Sequence, residues 1–342
     1  MKEINCQFPV NPLGYGVVGR NILTELSKKV RTNLYPIGQV NEFQQEQRNV
    51  LTANFGAPTI KIWHQNQLFD RFGNGRYFGW PIFELNKFNE IEKASLSCPH
   101  ELIVCSEWAK QICINNGIYE PIHVVPLGVD RNIFYPKDKL NSGTYKFFTI
   151  GKNELRKGHD IISKCFNSAF DDDDDVELHY LTNNVFLGEG NNQWYNLFKT
   201  GPLSDKVFIH SPLQSHQDVA KFIQDKDCGV FPARAEGWNL ELLESIACQK
   251  PVITTNYAAH TEFCNKDNAM LIDINRLEPA NDGVWFHGDG EWAHLGKNQE
   301  DQIIEYMRQS YRNNDRVNAA GILTATNFTW ENSVNKLYAK LQ

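Results

Sequence analysis

The sequence lacks several features that would indicate a secreted, membrane-spanning or zinc-binding protein. No run of apolar residues approaches the roughly 18 that a membrane span needs, and the segment MKEINCQFPVNP lacks the charged, apolar and small-residue succession of a signal peptide. The eight cysteines are scattered, without a C-x-x-C pair or the Cys/His spacing of a zinc site. A net charge of −7 argues against a surface that neutralises duplex nucleic acid. We therefore expect a cytoplasmic protein with reduced thiols.

The composition is that of a globular protein, with 41% apolar and 22% charged residues over 342 positions. Apolar runs that predict buried strands alternate with amphipathic segments that predict helices, which is typical of parallel sheets covered on both faces. Two such series are separated by a polar stretch, residues 135–146, that predicts a linker. The pattern predicts an α/β protein of two Rossmann-like αβα domains facing each other across a cleft.

A glycine-rich segment follows the first predicted strand. Residues Gly14 to Gly19, GYGVVG, satisfy the G-x-G-x-x-G spacing of a dinucleotide site. Such a site also needs an acidic residue about 20 positions later, at the end of the second strand. The chain reads TNLYPIG there, without Asp or Glu. The segment therefore fails as an NAD fingerprint, and it predicts a glycine turn that lets a ligand approach the first strand.

A pair of glutamates occurs in the segment EGWNLELLE, at Glu236 and Glu244. The predicted strand CGVFP ends shortly before Glu236, and a helix is predicted to begin near Asn239 and Leu240, where free backbone N–H groups suit a phosphate. Glu244 lies along the edge of that helix's buried stripe, where a carboxylate needs a partner or turns toward solvent. The predicted stripe consists of Leu240, Leu243 and Ala247. We interpret Glu244 as a ligand-binding group because it lies where a ligand would enter.

Two lysines, Lys152 and Lys157, lie on the predicted turn of TIGKNELRKGHD, and Gly158 lets the backbone pass closely before the next helix. Cations at this position would bind a diphosphate and offset the charge of a leaving nucleotide. The alternative is that both are ordinary surface lysines.

Two further segments have open interpretations. The run Asp171 to Asp175 predicts a solvated loop, with a metal site as the alternative. Residues 273–297 lack a period and contain several aromatic residues among Gly, Asp and His. They predict a long irregular segment, either a packed flap beside the ligand site or a surface loop.

Several segments together resemble the retaining glycosyltransferases of family 4, closely over about residues 98–270 and only by layout elsewhere. The segments are ELIVCSEWAK, IHVVPLGVDRNIFYP, FFTIGKNELRKGHD, VFPARAEGWNLELLESIACQKPVITT and FTWENSVNKLYAKL. The resemblance implies the glycosyltransferase B fold. Its most specific element is the pair of glutamates with seven residues between them.

The resemblance also implies roles for individual residues of the second predicted domain. Glu244 would hold the ribose hydroxyls of the nucleotide, and Glu236 would contact the donor sugar near the reacting carbon. Lys152 and Lys157 match the basic pair on the diphosphate. Asn239 stands where the family has the second glycine of its E-G-F-G loop, a departure that bears on sugar choice.

Two residues of the first predicted domain receive roles from the same resemblance. Gly16 would lie against the donor phosphates. His64, directly after the predicted strand TIKIW, fits the family's histidine that touches a donor-sugar hydroxyl. A histidine after a strand can equally be structural. The catalytic residues predicted for this chain are therefore Glu236 and His64.

These observations predict a retaining, metal-independent glycosyltransferase that uses a nucleoside diphosphate sugar and no cofactor. The donor is expected in residues 139–324 and the acceptor in residues 1–138, with a C-terminal helix in residues 325–342 returning to the N-terminal domain. The acceptor is unidentified; a glycan, lipid or protein is favoured over nucleic acid, and peripheral membrane contact is compatible with the sequence. The alternatives are a transferase that acts on modified DNA bases and a non-catalytic module that binds nucleotide sugars or glycans.

Overall fold

The computed structural model of the chain describes residues 1–38, 54–137 and 143–342. These residues contain two six-stranded sheets in which every strand pair is parallel, with helices between most of the successive strands. The predicted α/β class with two parallel sheets is confirmed. Among the described residues, no helix combines the length and the apolar character needed to cross a membrane.

The first compact unit comprises Met1–Gly128 and Phe328–Gln342. Its sheet has the order β2-β1-β3-β4-β5-β6. The strands are β1 (Glu3–Phe8), β2 (Arg31–Pro36), β3 (Thr59–Trp63), β4 (Tyr77–Pro81), β5 (Glu101–Val104) and β6 (Ile122–Val124). Among the described residues before Gly128, its helices are α1 (Gly14–Ser27), α2 (Glu90–Leu96) and α3 (Glu107–Asn115). Ser106 caps α3 through a bond from the Ala109 N–H, as its sequence predicts.

The second compact unit comprises Val129–Asn327. Its sheet has the order β12-β11-β10-β7-β8-β9. The strands are β7 (Tyr145–Gly151), β8 (Val176–Thr182), β9 (Val207–Ile209), β10 (Cys228–Phe231), β11 (Val252–Thr255) and β12 (Met270–Ile272). The helices are α4 (His159–Ala169), α5 (Asn191–Phe198), α6 (His216–Asp225), α7 (Leu240–Ala247), α8 (Lys297–Arg312) and α9 (Ala319–Asn327). The last helix of the chain, α10 (Trp330–Leu341), belongs to the first unit and packs against α1.

Because β7 and β10 are neighbours at the centre of their sheet, the segments that follow them meet at one edge. The strands are buried on both faces, with Phe147, Leu178 and Val230 fully covered by α4, α8 and the neighbouring strands. This edge carries the Lys152–Lys157 turn and the segment with Glu236, so the two motifs found separately in the sequence share one location.

The prediction of a glycine turn at Gly14–Gly19 is wrong. These residues form the first turns of α1, which begins at Gly14. Gly16 is needed for close packing, since a Cβ atom there would lie 2.3 Å from the backbone N and O of Asn11. The helix therefore starts against the segment that follows β1, and the glycine spacing reflects this contact.

The prediction of an irregular segment at residues 273–297 is also wrong. It contains an antiparallel hairpin, β13 (Leu277–Asn281) with β14 (His287–Ala293). Apolar and polar residues do not alternate regularly along β14, because Gly288 and Gly290 interrupt the strand with positive φ values. Ala280 and Trp292 are buried and anchor the hairpin to the second unit.

The structure differs from the sequence-based predictions in several smaller respects. Strand β4 and helix α2 were not predicted from the pattern. Tyr145 and Lys146, placed in the linker 135–146, belong to β7, and the middle of that linker lies outside the described residues. The run Asp171 to Asp175 is a largely exposed turn between α4 and β8, as predicted.

Candidate functional site

The turn between β7 and α4 is held against the segment that follows β10. Gly158 has a φ of 71°, and a Cβ atom there would lie 2.0 Å from the carbonyl oxygen of Pro232. The Arg234 N–H donates to the Arg156 carbonyl at 2.7 Å. Only glycine allows this approach in a left-handed conformation. The contact brings the basic side chains of the turn beside Glu236.

Glu236 is buried between two cations of this turn. One carboxylate oxygen lies 2.9 Å from Lys157 Nζ, and the other lies 2.8 Å from Arg156 Nη1. Burial alone would raise the pKa of this carboxyl, but Arg156 and Lys157 outweigh that effect and lower its pKa to about 2. Glu236 is therefore an ionised carboxylate with a fixed orientation.

Arg156 is a site residue that the sequence reasoning missed. Its Nη1 also donates to the Ala235 carbonyl at 2.8 Å, and its Nη2 donates to Glu154 Oε2 at 2.8 Å. The guanidinium is buried, so these contacts are little screened by solvent. The position of Arg156 directly before Lys157 could have indicated a role in the site. However, the side chains of adjacent residues on a turn usually point in different directions. A short 3₁₀ helix, Leu155–Lys157, turns both side chains toward Glu236.

The two predicted lysines lie on the same turn in different surroundings. Lys157 is buried; burial lowers its pKa, but Glu236 and Glu241 raise it more, and the net pKa is raised. The Lys152 side chain is 40% exposed, and its Nζ lies 3.8 Å from Glu154 Oε1. The Lys152 ammonium also lies 5.3 Å from the centre of the Phe186 ring. The described contacts thus join Lys157 directly to Glu236, and Lys152 only through Glu154 and Arg156.

Asn239 forms the start of α7, as expected, with a φ of 78° and a ψ of 80°. Asparagine tolerates this left-handed conformation better than other non-glycine residues. Its Oδ1 accepts from the Leu242 N–H at 3.2 Å, and its Nδ2 donates to His260 Nε2 at 3.0 Å. Burial lowers the pKa of His260 to about 4, so the ring is neutral and accepts this bond. The Leu242 N–H is therefore capped, which leaves the earlier N–H groups of the turn for an anion.

Glu244 lies one turn further along α7 and is also buried. No described residue gives its carboxyl a hydrogen bond or an ion pair. Burial, with a contribution from Glu241, raises its pKa well above 4.5. The predicted buried stripe needs correction, since α7 is buried on nearly every side from Leu242 to Ala247 and Leu240 is only half-buried. A carboxyl enclosed in this way lacks the partner that its burial calls for.

The predicted residues of the first unit, Gly16 and His64, are linked through Tyr15. The Tyr15 hydroxyl lies 3.3 Å from His64 Nδ1, and their rings are 4.7 Å apart. The Tyr15 hydroxyl also donates to the Ile82 carbonyl at 2.5 Å. His64 is exposed directly after β3. The structure thus brings the start of α1 and the end of β3 together within this unit.

No cluster of three or more His, Cys, Asp or Glu side chains suited to a metal ion occurs within residues 1–38, 54–137 and 143–342. In the run Asp171 to Asp175, the carbonyls of Asp172 and Asp174 accept bonds from Lys206 Nζ. The run is therefore held by a cation of the protein itself.

Residues 130–285 match the protein family described as Glycosyl transferases group 1. This range includes Lys152, Lys157, Glu236 and Glu244. The fold predicted from the resemblance, that of the glycosyltransferase B enzymes, is confirmed.

Two named relatives are also glycosyltransferases. The chain is 24% identical over 264 residues to the MMP alpha-(1->4)-mannosyltransferase of Mycolicibacterium hassiacum, covering 74% of this chain and 62% of the relative. It is 26% identical over 234 residues to the GDP-mannose-dependent alpha-(1-6)-phosphatidylinositol dimannoside mannosyltransferase of Mycobacterium tuberculosis, covering 65% and 57%. The curated relatives it matches are longer, and the chain spans 35% to 62% of their length.

Among solved structures, Anabaena HepE in complex with UDP and glucose superimposes with a TM-score of 0.72 at 12% identity, covering 100% of this chain and 99% of that one. At this identity the likeness establishes the fold.

Proposed function

Since residues 130–285 of this chain match the group 1 glycosyl transferases, we propose that the chain transfers a sugar from a nucleoside diphosphate sugar to an acceptor, with retention of configuration. The observation that carries the proposal is the contrast between two buried carboxyls on one strand-to-helix segment. Glu236 is fixed by Arg156 and Lys157, whereas Glu244 has no partner among the described residues. Glu236 is a charge of fixed orientation, and Glu244 is a carboxyl that can accept hydrogen bonds from the hydroxyl groups of a ligand.

The donor nucleotide binds to the second unit in this proposal. The Glu244 carboxyl accepts hydrogen bonds from the two ribose hydroxyls, which supply the donors that the protein does not. The diphosphate lies against Lys157 and the first turn of α7, at Asn239 and Leu240, where the N–H groups of a helix start attract anions. Lys152, which is partly exposed, adds a screened attraction from the same turn.

The chemical step follows from this arrangement. The bond between the anomeric carbon and the diphosphate oxygen breaks while a bond from the acceptor oxygen forms on the same face of the sugar. The acceptor's proton passes to the departing diphosphate, whose negative charge is stabilised by Lys157 and the α7 start. Glu236, held ionised by its two cations, lies against the donor sugar as positive charge develops on the anomeric carbon. Gly16 and His64 remain predictions for contacts to the donor phosphates and sugar.

One relative is named for GDP-mannose, whereas the HepE structure was solved with UDP and glucose. An experiment is therefore needed to identify the nucleobase and the sugar. The purified chain would be incubated with UDP-glucose, UDP-galactose, UDP-N-acetylglucosamine and GDP-mannose. Slow donor hydrolysis is followed by proton NMR, which identifies the anomer released before mutarotation. We expect one donor to be consumed and the anomer of the donor to be retained.

The same assay tests metal independence, with excess chelator in one arm and the Glu236→Gln variant as the inactive control. Activity lost in chelator and restored by manganese would contradict the metal-free mechanism. Release of the opposite anomer would contradict retention. Tight nucleotide binding without turnover of any donor, with or without candidate acceptors, would instead identify a non-catalytic binding module.

A further inference from the structure

The second unit contains a cavity of about 390 Å³ beside the basic turn and separate from the two carboxyls. It lies between the β7–α4 turn, helix α5 with the segment before it, and the tip of the β13–β14 hairpin. Neither Glu236 nor Glu244 lines it. Its volume falls within the range of pockets that enclose small molecules.

One wall of the cavity carries a buried hydrogen-bond acceptor without a donor. Asn153 is 1% exposed, and no described residue donates to its Oδ1. The orientation of the amide is fixed by its neighbour. Asn191 Nδ2 donates to the Asn184 and Gly188 carbonyls, so Asn191 Oδ1 must accept from Asn153 Nδ2, which lies 2.7 Å away. The Asn153 oxygen is therefore left without a donor beside the cavity, and a buried acceptor of this kind calls for a hydrogen bond.

The charged groups of the wall are also acceptors, and Gln193 on α5 adds an amide that both donates and accepts. Glu154 and Asp160 line the cavity, and each is paired with a buried arginine, Arg156 and Arg234 respectively. No lysine or arginine lines the cavity. A phosphate or carboxylate ligand would meet carboxylates without a cation, whereas hydroxyl groups would find acceptors on several sides.

The mouth of the cavity is aromatic and rigid. Trp285, 49% exposed at the hairpin tip, packs edge to face with Phe186 at 6.0 Å between ring centres. Asp282 Oδ1 fixes this tip by accepting from the backbone N–H groups of Val284, Trp285 and Phe286. Trp194 on α5 lines the opposite side. Large, exposed aromatic faces that a turn holds in place are suited to the apolar C–H face of a flat, polar ligand.

We propose that this cavity is a saccharide-binding subsite, which takes a neutral sugar unit with its hydroxyls on Asn153, Glu154 and Asp160 and its C–H face on Trp285. Ring hydroxyls supply the donors, the aromatic rim covers the apolar face, and the absence of lining cations disfavours anionic ligands. The inference goes beyond the proposed transfer reaction. It concerns a second sugar, whose cavity adjoins the transfer site through the Glu154–Arg156 contact and through Lys152, which lies near Glu154 and Phe186.

The test uses the full chain and neutral probes. Binding of methyl α-glucoside, methyl α-mannoside, methyl β-galactoside, maltose and lactose is measured by saturation-transfer NMR and by tryptophan fluorescence. We expect at least one probe to bind, Trp285→Ala to weaken it roughly fivefold or more, and Trp285→Phe to retain part of the affinity. Gln193→Ala, an exposed change on the α5 wall, should weaken the same probe. Tyr119→Ala removes an aromatic residue of the first unit that is more exposed than Trp285, and it should change nothing.

UDP and GDP binding, measured by calorimetry on the same variants, separates this inference from the proposed function. The expected result is unchanged nucleotide affinity in Trp285→Ala, with no displacement of the saccharide by nucleotide. The inference is overturned if no probe binds, or if binding is equal in wild type, Trp285→Ala and Gln193→Ala. It is also overturned if UDP or GDP competes with the saccharide, because the cavity would then belong to the nucleotide.

Discussion

Glu236 and Glu244 are buried to nearly the same extent, 5% and 8% exposed, but their electrostatic surroundings are opposite. Glu236 lies between two cations that lower its pKa to about 2, and Glu244 has a raised pKa and no partner among the described residues. The two carboxyls are eight positions apart on a single strand-to-helix segment. Burial alone therefore says nothing about which protonation state a carboxyl adopts; the neighbouring charges decide it.

The presence or absence of a charged partner decides what a buried carboxyl can do. A paired carboxylate keeps its charge and orientation before any substrate arrives, and its removal leaves the buried cations beside it uncompensated. An unpaired one destabilises the free protein, and a ligand that donates hydrogen bonds to it removes that cost on binding. We therefore expect substitutions at Glu236 and Glu244 to change stability in opposite directions.

The largest effect is expected for Glu236→Gln. Turnover should fall by roughly 100-fold or more, the range for a lost transition-state electrostatic contact, while nucleotide affinity changes little. Stability should fall by about 3 kcal/mol, because Arg156 and Lys157 lose their buried counter-charge. Steady-state kinetics and urea denaturation measure the two quantities.

The pH dependence gives an independent check on that substitution. The pKa of Glu236 is lowered, so its stabilisation is present above about pH 4.5 and is lost as pH falls toward 2. The stability difference between wild type and Glu236→Gln should therefore narrow below pH 4.5. Intact turnover in a folded Glu236→Gln would overturn its assignment to the chemical step.

The two lysines give the next largest effect. Lys157→Met keeps the aliphatic stem and should weaken binding of UDP or GDP by about 1.5 to 3 kcal/mol, the range for charge-assisted bonds. Lys152→Met should cost less than about 1 kcal/mol and lose that effect in high salt, because this side chain is 40% exposed. Calorimetry at two salt concentrations compares them. Equal losses would show that exposure does not separate the lysines, and no loss in either would show that neither holds the diphosphate.

The positions of the motifs could be predicted from the sequence because the alternation of strands and helices is encoded in short local patterns. The strands and helices around Lys157 and Glu236 were identified, as was the start of α7 near Asn239. The pairing of their side chains could not be predicted. Arg156 bonds the Ala235 carbonyl, 79 positions away, and that contact exists only because β7 and β10 are neighbours in the sheet.

The hairpin and the glycine segment show the same limit. Gly14–Gly19 carries a spacing associated with ligand-binding turns, but Gly16 serves the packing of α1 against Asn11. The β13–β14 hairpin lacks the β-branched residues and the strict alternation that indicate strands, and its order comes from Trp292 and from Asp282 at its tip. The contacts of Gly16 and Asp282 are close in sequence, but glycine spacing and strand alternation do not reveal them; the burial of Trp292 depends on tertiary packing.

A smaller effect on stability is expected for Glu244→Gln, and it has the opposite sign. The pKa of Glu244 is raised, so the folded protein retains a proton that the unfolded chain has released above about pH 4.5. Wild-type stability therefore falls as pH rises through this range, and the variant is spared that loss. We expect Glu244→Gln to be about 1 kcal/mol more stable at neutral pH and to bind nucleotide more weakly. Denaturation at pH 4 and pH 8 measures the difference, which should appear only at the higher pH. A folded variant with unchanged nucleotide affinity would rule out Glu244 as the ribose ligand.

The smallest effect is expected for Asn239→Gly, which introduces the residue that the family resemblance implies at this position. Glycine adopts a φ of 78° without strain, but it loses the cap on the Leu242 N–H and the bond to His260. Glycine at a helix start costs only a few tenths of a kcal/mol relative to asparagine. Relief of the backbone strain acts in the opposite direction. The free energy of unfolding should therefore change very little. Asn239→Ala is the matched control, since it loses the same bonds and keeps the strain; it should cost about 2 kcal/mol. Thermal denaturation of both variants measures the difference. If both variants lost stability equally, the left-handed backbone would contribute nothing, and the side-chain bonds alone would explain why asparagine occupies this position.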